Sequence, residues 1–259
     1  MNLPFLWAHR GASRHAPENT LAAFLAAAES DADGLELDVH LSREGIPVVI
    51  HDETLARTTD GDGAVAQQDL QQLRQLDAGS WFAPEYAGER IPTLESVLKM
   101  FGGKLRLNLE IKDAGAGKAM LELLAQYPGA DVVVSSFDHE LLRALRQEHC
   151  TLALAVLFDS GNWRQALLLA GDLSASAFHP RADQVTRPMI TACQRADLPV
   201  FVWTVDEPRH ALSLFRSGVS GFFTNDPARL RTIFPRTGPN SARPLCCPDD
   251  RDKLPAHSG

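Results

Sequence analysis

The sequence predicts an α/β barrel of eight strand–helix units with a small insertion after the second strand. Three observations lead there. Strand-length apolar runs alternate with helical patterns along most of the chain. The units number roughly eight, which suits a closed barrel better than a doubly wound sheet. The first strand–helix turn lacks the G-x-G-x-x-G of a dinucleotide-binding sheet. At 259 residues the chain is as long as such a barrel requires.

The first strand is read at Phe5–His9, followed by a helix from Asn19 to about Ser30. Asn19 or Thr20 can cap that helix, and Leu21, Phe24, Leu25 and Ala28 would form its apolar face. A second strand, Gly34–Val39, leads through the Ser-Arg-Glu-Gly turn to another extended run, Ile46–Ile50. The rhythm then breaks. Residues 52–91 carry two turn-rich stretches around one short helix, Leu70–Leu76, and read as an insertion between barrel units. Strands at Leu105–Ile111, Asp131–Ser135, Thr151–Leu157, Ser174–Phe178, Pro199–Val205 and Gly221–Thr224 complete the set. Helices are expected at Leu94–Phe101, Lys118–Gln126, Asp138–Glu148, Trp163–Ala170, Gln184–Ala196 and Glu207–Ser217, with a last one opening near Asp226. Residues 1–235 thus form one barrel domain, and 236–259, rich in Pro, Gly, Ser and charge, are expected to be a disordered tail.

A formal charge of −8 argues against nucleic acid as the main partner, because phosphate backbones demand a basic surface. No stretch approaches the roughly 20 apolar residues of a membrane span, and the opening residues lack a basic leader, so a cytoplasmic location is expected. Cys150, Cys193, Cys246 and Cys247 show no metal-knuckle spacing and suit a reducing compartment.

Function is expected at the C-terminal ends of the strands, where the loops of such a barrel build its site. Alternation points Glu36 and Asp38 to one face of their strand while Leu35, Leu37 and Val39 take the other. Glu110 repeats the device between Leu109 and Ile111. Three carboxylates at one mouth suit a hard divalent cation, since buried and unpaired they would be costly. Arg10 and Lys112 add positive charge for an anion, phosphate above all, and His9 and His51 can move protons near neutral pH. The economical reaction is metal-assisted hydrolysis of a phosphate ester. Glu18 reads as a partner that holds Arg10 rather than as a metal ligand. Trp203, sharing a face with Phe201 and Val205, suits the apolar edge of a small polyol, and equally a packed core. Taken singly, Arg10 reads as well as a salt bridge, Lys112 as a surface lysine and His9 as a core histidine. Their joint place at strand ends selects the functional reading.

The segments HRGASRHAPENTLAAF, LELDVHLSREGIPVVIHDETLARTTDG, IPTLESVL, LNLEIK, VSSFD and VWTVDEP occur in this order. Together they resemble the glycerophosphodiester phosphodiesterase family, from about Trp7 to Pro227. The resemblance implies a TIM (β/α)8 barrel, one divalent cation (Mg2+ or Ca2+), and hydrolysis of glycerophosphodiesters to sn-glycerol 3-phosphate and an alcohol. It puts the metal on Glu36, Asp38 and Glu110, acid/base chemistry on His9 and His51, phosphate on Arg10 and Lys112, and substrate beside Trp203. One departure stands near the end: where the family often has T-D-x-P, this chain reads Thr224-Asn225-Asp226-Pro227, as if the acid had moved one place. Two other readings are a lysophospholipase D-like activity, which would want an exposed apolar element at the mouth, and a non-catalytic phosphodiester-binding module, which would have lost a histidine or a triad carboxylate.

Overall fold

The structure is a computed structural model that describes residues 3–236. Nine strands and nine α-helices are found there: β1 (Phe5–His9), α1 (Leu21–Glu29), β2 (Gly34–Leu41), β3 (Pro47–Val49), α2 (Leu70–Leu73), α3 (Leu94–Phe101), β4 (Arg106–Ile111), α4 (Ala116–Leu124), β5 (Val132–Ser136), α5 (His139–Glu148), β6 (Ala153–Phe158), α6 (Trp163–Asp172), β7 (Ala177–Pro180), α7 (Arg187–Arg195), β8 (Phe201–Val202), α8 (Pro208–Ser217), β9 (Gly221–Thr224) and α9 (Pro227–Arg231). Eight of the strands run parallel in the order β7-β6-β5-β4-β2-β1-β9-β8. The ring closes where β7 meets the β8 segment, through Phe178 opposite Val200 and Arg181 opposite Trp203. This is the expected TIM barrel. The ninth strand, β3, lies antiparallel on the last residues of β2, beyond the reach of β1.

Alternation sorts the strand residues into two layers. Leu6, Ala8, Leu35, Leu37, Leu107 and Leu109 join the large core under the helices. Trp7, Val133, Ala155, Ala177 and Phe223 fill the barrel interior. Gly34 shares a register with Trp7, and a Cβ there would sit 2.5 Å from the indole and 2.7 Å from the Arg106 carbonyl oxygen. Gly34→Ala is therefore expected to cost about 1–3 kcal/mol by overpacking. Urea unfolding measures it, and an unchanged midpoint would mean that the interior has slack at this level.

Several boundaries differ from the sequence expectation, for local reasons. Thr20, not Asn19, caps α1, accepting from the Ala23 amide. The helix buries Ala23, Phe24 and Ala27 and leaves Leu25 37% exposed. Ala23 is small enough to seat the helix against the turn after β1, where Gly11 lies and the Ala12 amide donates to the Ala23 carbonyl. The insertion helix stops at Leu73 after a capping box between Asp69 and Gln72. The expected strand at Ser174–Phe178 starts only at Ala177, because Ser174 takes a left-handed φ of 46° in the turn after α6. Regular β8 is two residues long, so alternation does not carry to Val205: Trp203 and Phe201 belong to the barrel interior, Val205 to the outer core. The insertion holds a core of its own, Val48, Ile50, Leu55, Val65, Leu73, Ala78 and Ile91. The expected tail lies outside the described residues except for Arg236, whose guanidinium pairs with Asp33 and Asp31.

Candidate active site

A cavity of about 270 Å³ opens at the C-terminal ends of the strands. His9, Arg10, Glu36, His51, Glu110, Lys112 and Trp203 line it. Inward-facing residues near the strand ends (His9, Glu36, Glu110) and the residues that follow the strands (Arg10, Lys112) reach the mouth together.

The carboxylates come together through the β2–β4 register, which sets Asp38 beside Glu110 and Glu36 beside Asn108. One ligand oxygen from each of Glu36, Asp38 and Glu110 lies within 4.8 Å of the others, and all three residues are buried. Two backbone bends serve this cluster. Arg10 adopts a φ of 56°, and its amide donates to Glu36 Oε2 at 2.8 Å. Asn19, at φ 58°, donates from Nδ2 to Asp38 Oδ2 at 2.7 Å and accepts the Asp38 amide on Oδ1. Left-handed conformations are costly for residues with a Cβ and gather where a site demands them. Lys112 Nζ bonds Glu110 Oε1 and lies 3.2 Å from Asp38 Oδ1, while Arg10 Nε lies 3.3 Å from Asp38 Oδ2. Three carboxylates against these two cations leave one negative charge; Glu36 Oε1 is buried without a hydrogen-bond donor, and Asp38 Oδ1 has only the Lys112 ammonium beside it.

The protonation of the triad reflects this shortage of positive charge. Burial, with Asp38 and Glu110 nearby, pushes Glu36 well above the usual carboxylate range. Burial and Asp38 raise Glu110 to about 7. Burial also opposes ionisation of Asp38, yet Arg10 and Lys112 hold it below its ordinary value. Crowded oxygens of this hard chemistry, one of them orphaned, fit an oxygen-seeking divalent cation.

The two histidines are held differently. His9 Nδ1 lies 2.8 Å from Asn225 Oδ1. Asn225 has its amide orientation fixed from behind, since Nδ2 donates to Asp206 Oδ2 at 2.8 Å and its backbone N–H to Asp206 Oδ1 at 2.7 Å. The oxygen therefore faces His9, Nδ1 carries the proton, and Nε2 keeps its lone pair. Burial, then Arg10, lowers His9 to about 4. His51 Nδ1 instead meets a carboxylate, Asp52 Oδ1, at 2.6 Å. Arg57 grips Asp52 through Nε at 2.6 Å and Glu18 through both terminal nitrogens, at 2.9 and 2.8 Å. Glu18 in turn accepts from Arg10 at 2.8 Å, as a partner holding Arg10 should. Burial lowers His51 as well, opposed by Asp38 and Asp52.

All nine residues singled out in the sequence stand in this cluster or in direct contact with it. Trp203 donates its indole N–H to the His179 carbonyl at 2.8 Å and stacks edge-on with Phe137, ring centres 5.6 Å apart. The Thr-Asn-Asp-Pro departure resolves into two jobs: Asn225 faces His9, and Asp226 caps α9 and accepts from His15 Nε2. The acid has not shifted to a new catalytic place; an amide occupies the position that faces the site.

The sequence profile described as "Glycerophosphoryl diester phosphodiesterase family" matches residues 9–229. The chain belongs to that family. It is 37% identical over 241 residues to a glycerophosphodiester phosphodiesterase of Caldanaerobacter subterraneus, covering 89% of this chain and 98% of that protein. A glycerophosphodiester phosphodiesterase of Bacillus altitudinis is 32% identical over 238 residues, 88% of this chain and 97% of its own. Among solved structures, an Oleispira antarctica phosphodiesterase in complex with the product sn-glycerol-3-phosphate superposes with a TM-score of 0.82 at 32% identity, covering 89% of this chain and 96% of that one. Four residues that organise the site, Asn19, Asn225, Arg57 and Asp206, were not among those the sequence pointed to as functional. Asn19 was legible only as a cap, although its place in Pro-Glu-Asn-Thr beside Glu18 was a signal. Asn225 stood in the departure itself. Arg57 and Asp206, which orient the residues that face the cavity, lie within the quoted segments LELDVHLSREGIPVVIHDETLARTTDG and VWTVDEP, but nothing local to them indicates what they hold.

Proposed function

We propose that this chain hydrolyses glycerophosphodiesters to sn-glycerol 3-phosphate and an alcohol, using a divalent cation, Mg2+ or Ca2+. The observation that carries the reading is the buried triad, with Glu36 Oε1 lacking any donor, flanked by two cations and two differently held histidines. Glu36, Asp38 and Glu110 would hold the ion, which when bound would stabilise negative charge developing on the phosphoryl oxygens. The rest belongs to the chain's own side chains. Arg10 and Lys112 bind the phosphate and orient it. His9, neutral at pH 7 with a free Nε2, takes the proton of the attacking water. His51, whose imidazolium is supported by Asp52, gives a proton to the departing alkoxide as its bond to phosphorus breaks. Trp203 covers the carbon edge of glycerol. Arg57 keeps Asp52 from swinging away from His51 and ties that pair to Arg10 through Glu18. No helix among the described residues is long and apolar enough to cross a membrane, and soluble diesters are the substrates proposed.

The purified protein, with and without added Mg2+ or Ca2+, is incubated with glycerophosphocholine, glycerophosphoethanolamine and lysophosphatidylcholine, and glycerol 3-phosphate and free choline are measured. Metal-dependent glycerol 3-phosphate from the first two is expected. Release of choline from lysophosphatidylcholine alone would transfer the assignment to lipid substrates.

A further inference from the structure

The cavity has a wall that the hydrolysis above does not use. Beyond β4 along the sheet stand Phe137 after β5 and Leu157 and Asp159 at the end of β6. Along the sheet, β6 is three places from β2 and four from β1, so Asp159 faces His9 across the mouth. Asp159 is half-buried, and its only hydrogen bond among the described residues is from the neighbouring Ser160 hydroxyl. It makes no ion pair among the described residues; Arg181, the nearby cation, is engaged by Asp183 at 2.7 Å. Phe137, 41% exposed, forms an aromatic corner with Trp203, their planes at 79°.

An unpaired carboxylate is out of place in a cavity whose opposite side is arranged for an anion. It works against a substrate that carries only negative charge. It favours one whose far end is positive, because the two charges of a zwitterion then meet opposite charges on opposite walls. Phe137 beside the carboxylate adds an aromatic ring, a surface that attracts quaternary and primary ammonium groups. We infer that Phe137, Leu157 and Asp159 form a subsite for a cationic head-group alcohol, so that choline and ethanolamine diesters are preferred over neutral ones. The inference rests on the diesterase reading and names which diesters that site selects; Trp203 keeps the glycerol side.

The test compares wild type and Asp159→Asn, with the divalent cation supplied, on three substrates. These are glycerophosphocholine, its 3,3-dimethylbutyl isostere, in which carbon replaces the choline nitrogen, and glycerophosphoglycerol. The expected wild-type kcat/KM is about tenfold higher for the choline ester than for its isostere. Asp159→Asn should erase that ratio by lowering the choline ester alone, and activity retained on the isostere shows that the variant is folded. Equal losses on all three substrates would overturn the subsite, placing Asp159 on the glycerol that all share. So would a wild type that treats choline ester and isostere alike. If wild type released no glycerol 3-phosphate from any of the three, the parent reading would fall and the subsite with it.

Discussion

Glu36→Gln is expected to abolish turnover while leaving the metal-free protein as stable as the wild type or more so. The activity loss should exceed about 10³-fold, because a cation that neutralises the transferring phosphoryl group is worth several kcal/mol and each 1.36 kcal/mol is a factor of ten. The stability result follows from crowding. Glu36 is buried beside Asp38 and Glu110, keeps one oxygen without a donor, and holds its proton more tightly than a free carboxyl. Gln is the permanent neutral form with nearly the same shape, and its oxygen still accepts the Arg10 amide. The pH dependence has a definite sign. In the metal-free protein Glu36 and Glu110 bind protons more strongly when folded than when unfolded, and Glu110 reaches about 7. Their contribution is thus fully present below the ordinary carboxylate pKa and is lost as pH rises toward 7. Asp38 runs the other way and weakens the fold only in acid. A bound cation needs all three carboxylates ionised, so its stabilisation grows over the same interval. Thermal melts between pH 5 and 8, with chelator and with Mg2+ or Ca2+, should diverge as pH rises for wild type and coincide for Glu36→Gln. A metal-induced shift retained in the variant would remove Glu36 from the ion's ligands.

His51→Ala and His9→Ala should each lose about 10²–10⁴ in rate on glycerophosphocholine, the usual worth of acid–base catalysis. They should part company on a glycerophosphoryl nitrophenol. A nitrophenolate leaves without a proton, so the variant lacking the acid recovers most of its loss while the variant lacking the base does not. The assignment comes from what each imidazole touches: His51 leans on the Asp52 carboxylate, which stabilises a positive ring, and His9 on the Asn225 amide oxygen, which fixes a tautomer without adding charge. His51→Ala is the variant expected to be rescued. Recovery of His9→Ala instead would exchange the two roles, and equal, unrescued losses would leave both as positioning groups.

The barrel was legible because its signal is repetitive: alternating apolar runs and helix caps recur, and an error at one boundary does not move the next unit. The triad was legible for a related reason, since Glu36, Asp38 and Glu110 are polar residues on strands whose other face is wholly apolar. What stayed hidden depends on contacts across the chain. The pairing of Asn225 with His9 spans 216 positions, and that of Arg57 with Glu18 spans 39. Neither leaves a periodic trace. Leu25 was misplaced because two adjacent helical faces score alike until Ala23 is seen against Gly11. Trp203 could be placed at the mouth, yet its relation to Val205 failed as soon as regular pairing stopped at Val202.

The insertion's separate core has a consequence for how this protein fails under stress. Val48 and Ile50 pack outward with Leu55, Leu73 and Ile91, whereas Val49 between them belongs to the barrel. His51, Asp52 and Arg57 ride on that smaller unit, and His9, Arg10 and the carboxylates on the larger one. Segments with small private cores open before the whole molecule does. One of the two histidines proposed for proton transfer therefore sits on the smaller of the two packed units, and activity is expected to fall at denaturant concentrations where the barrel's circular dichroism is still that of the intact protein.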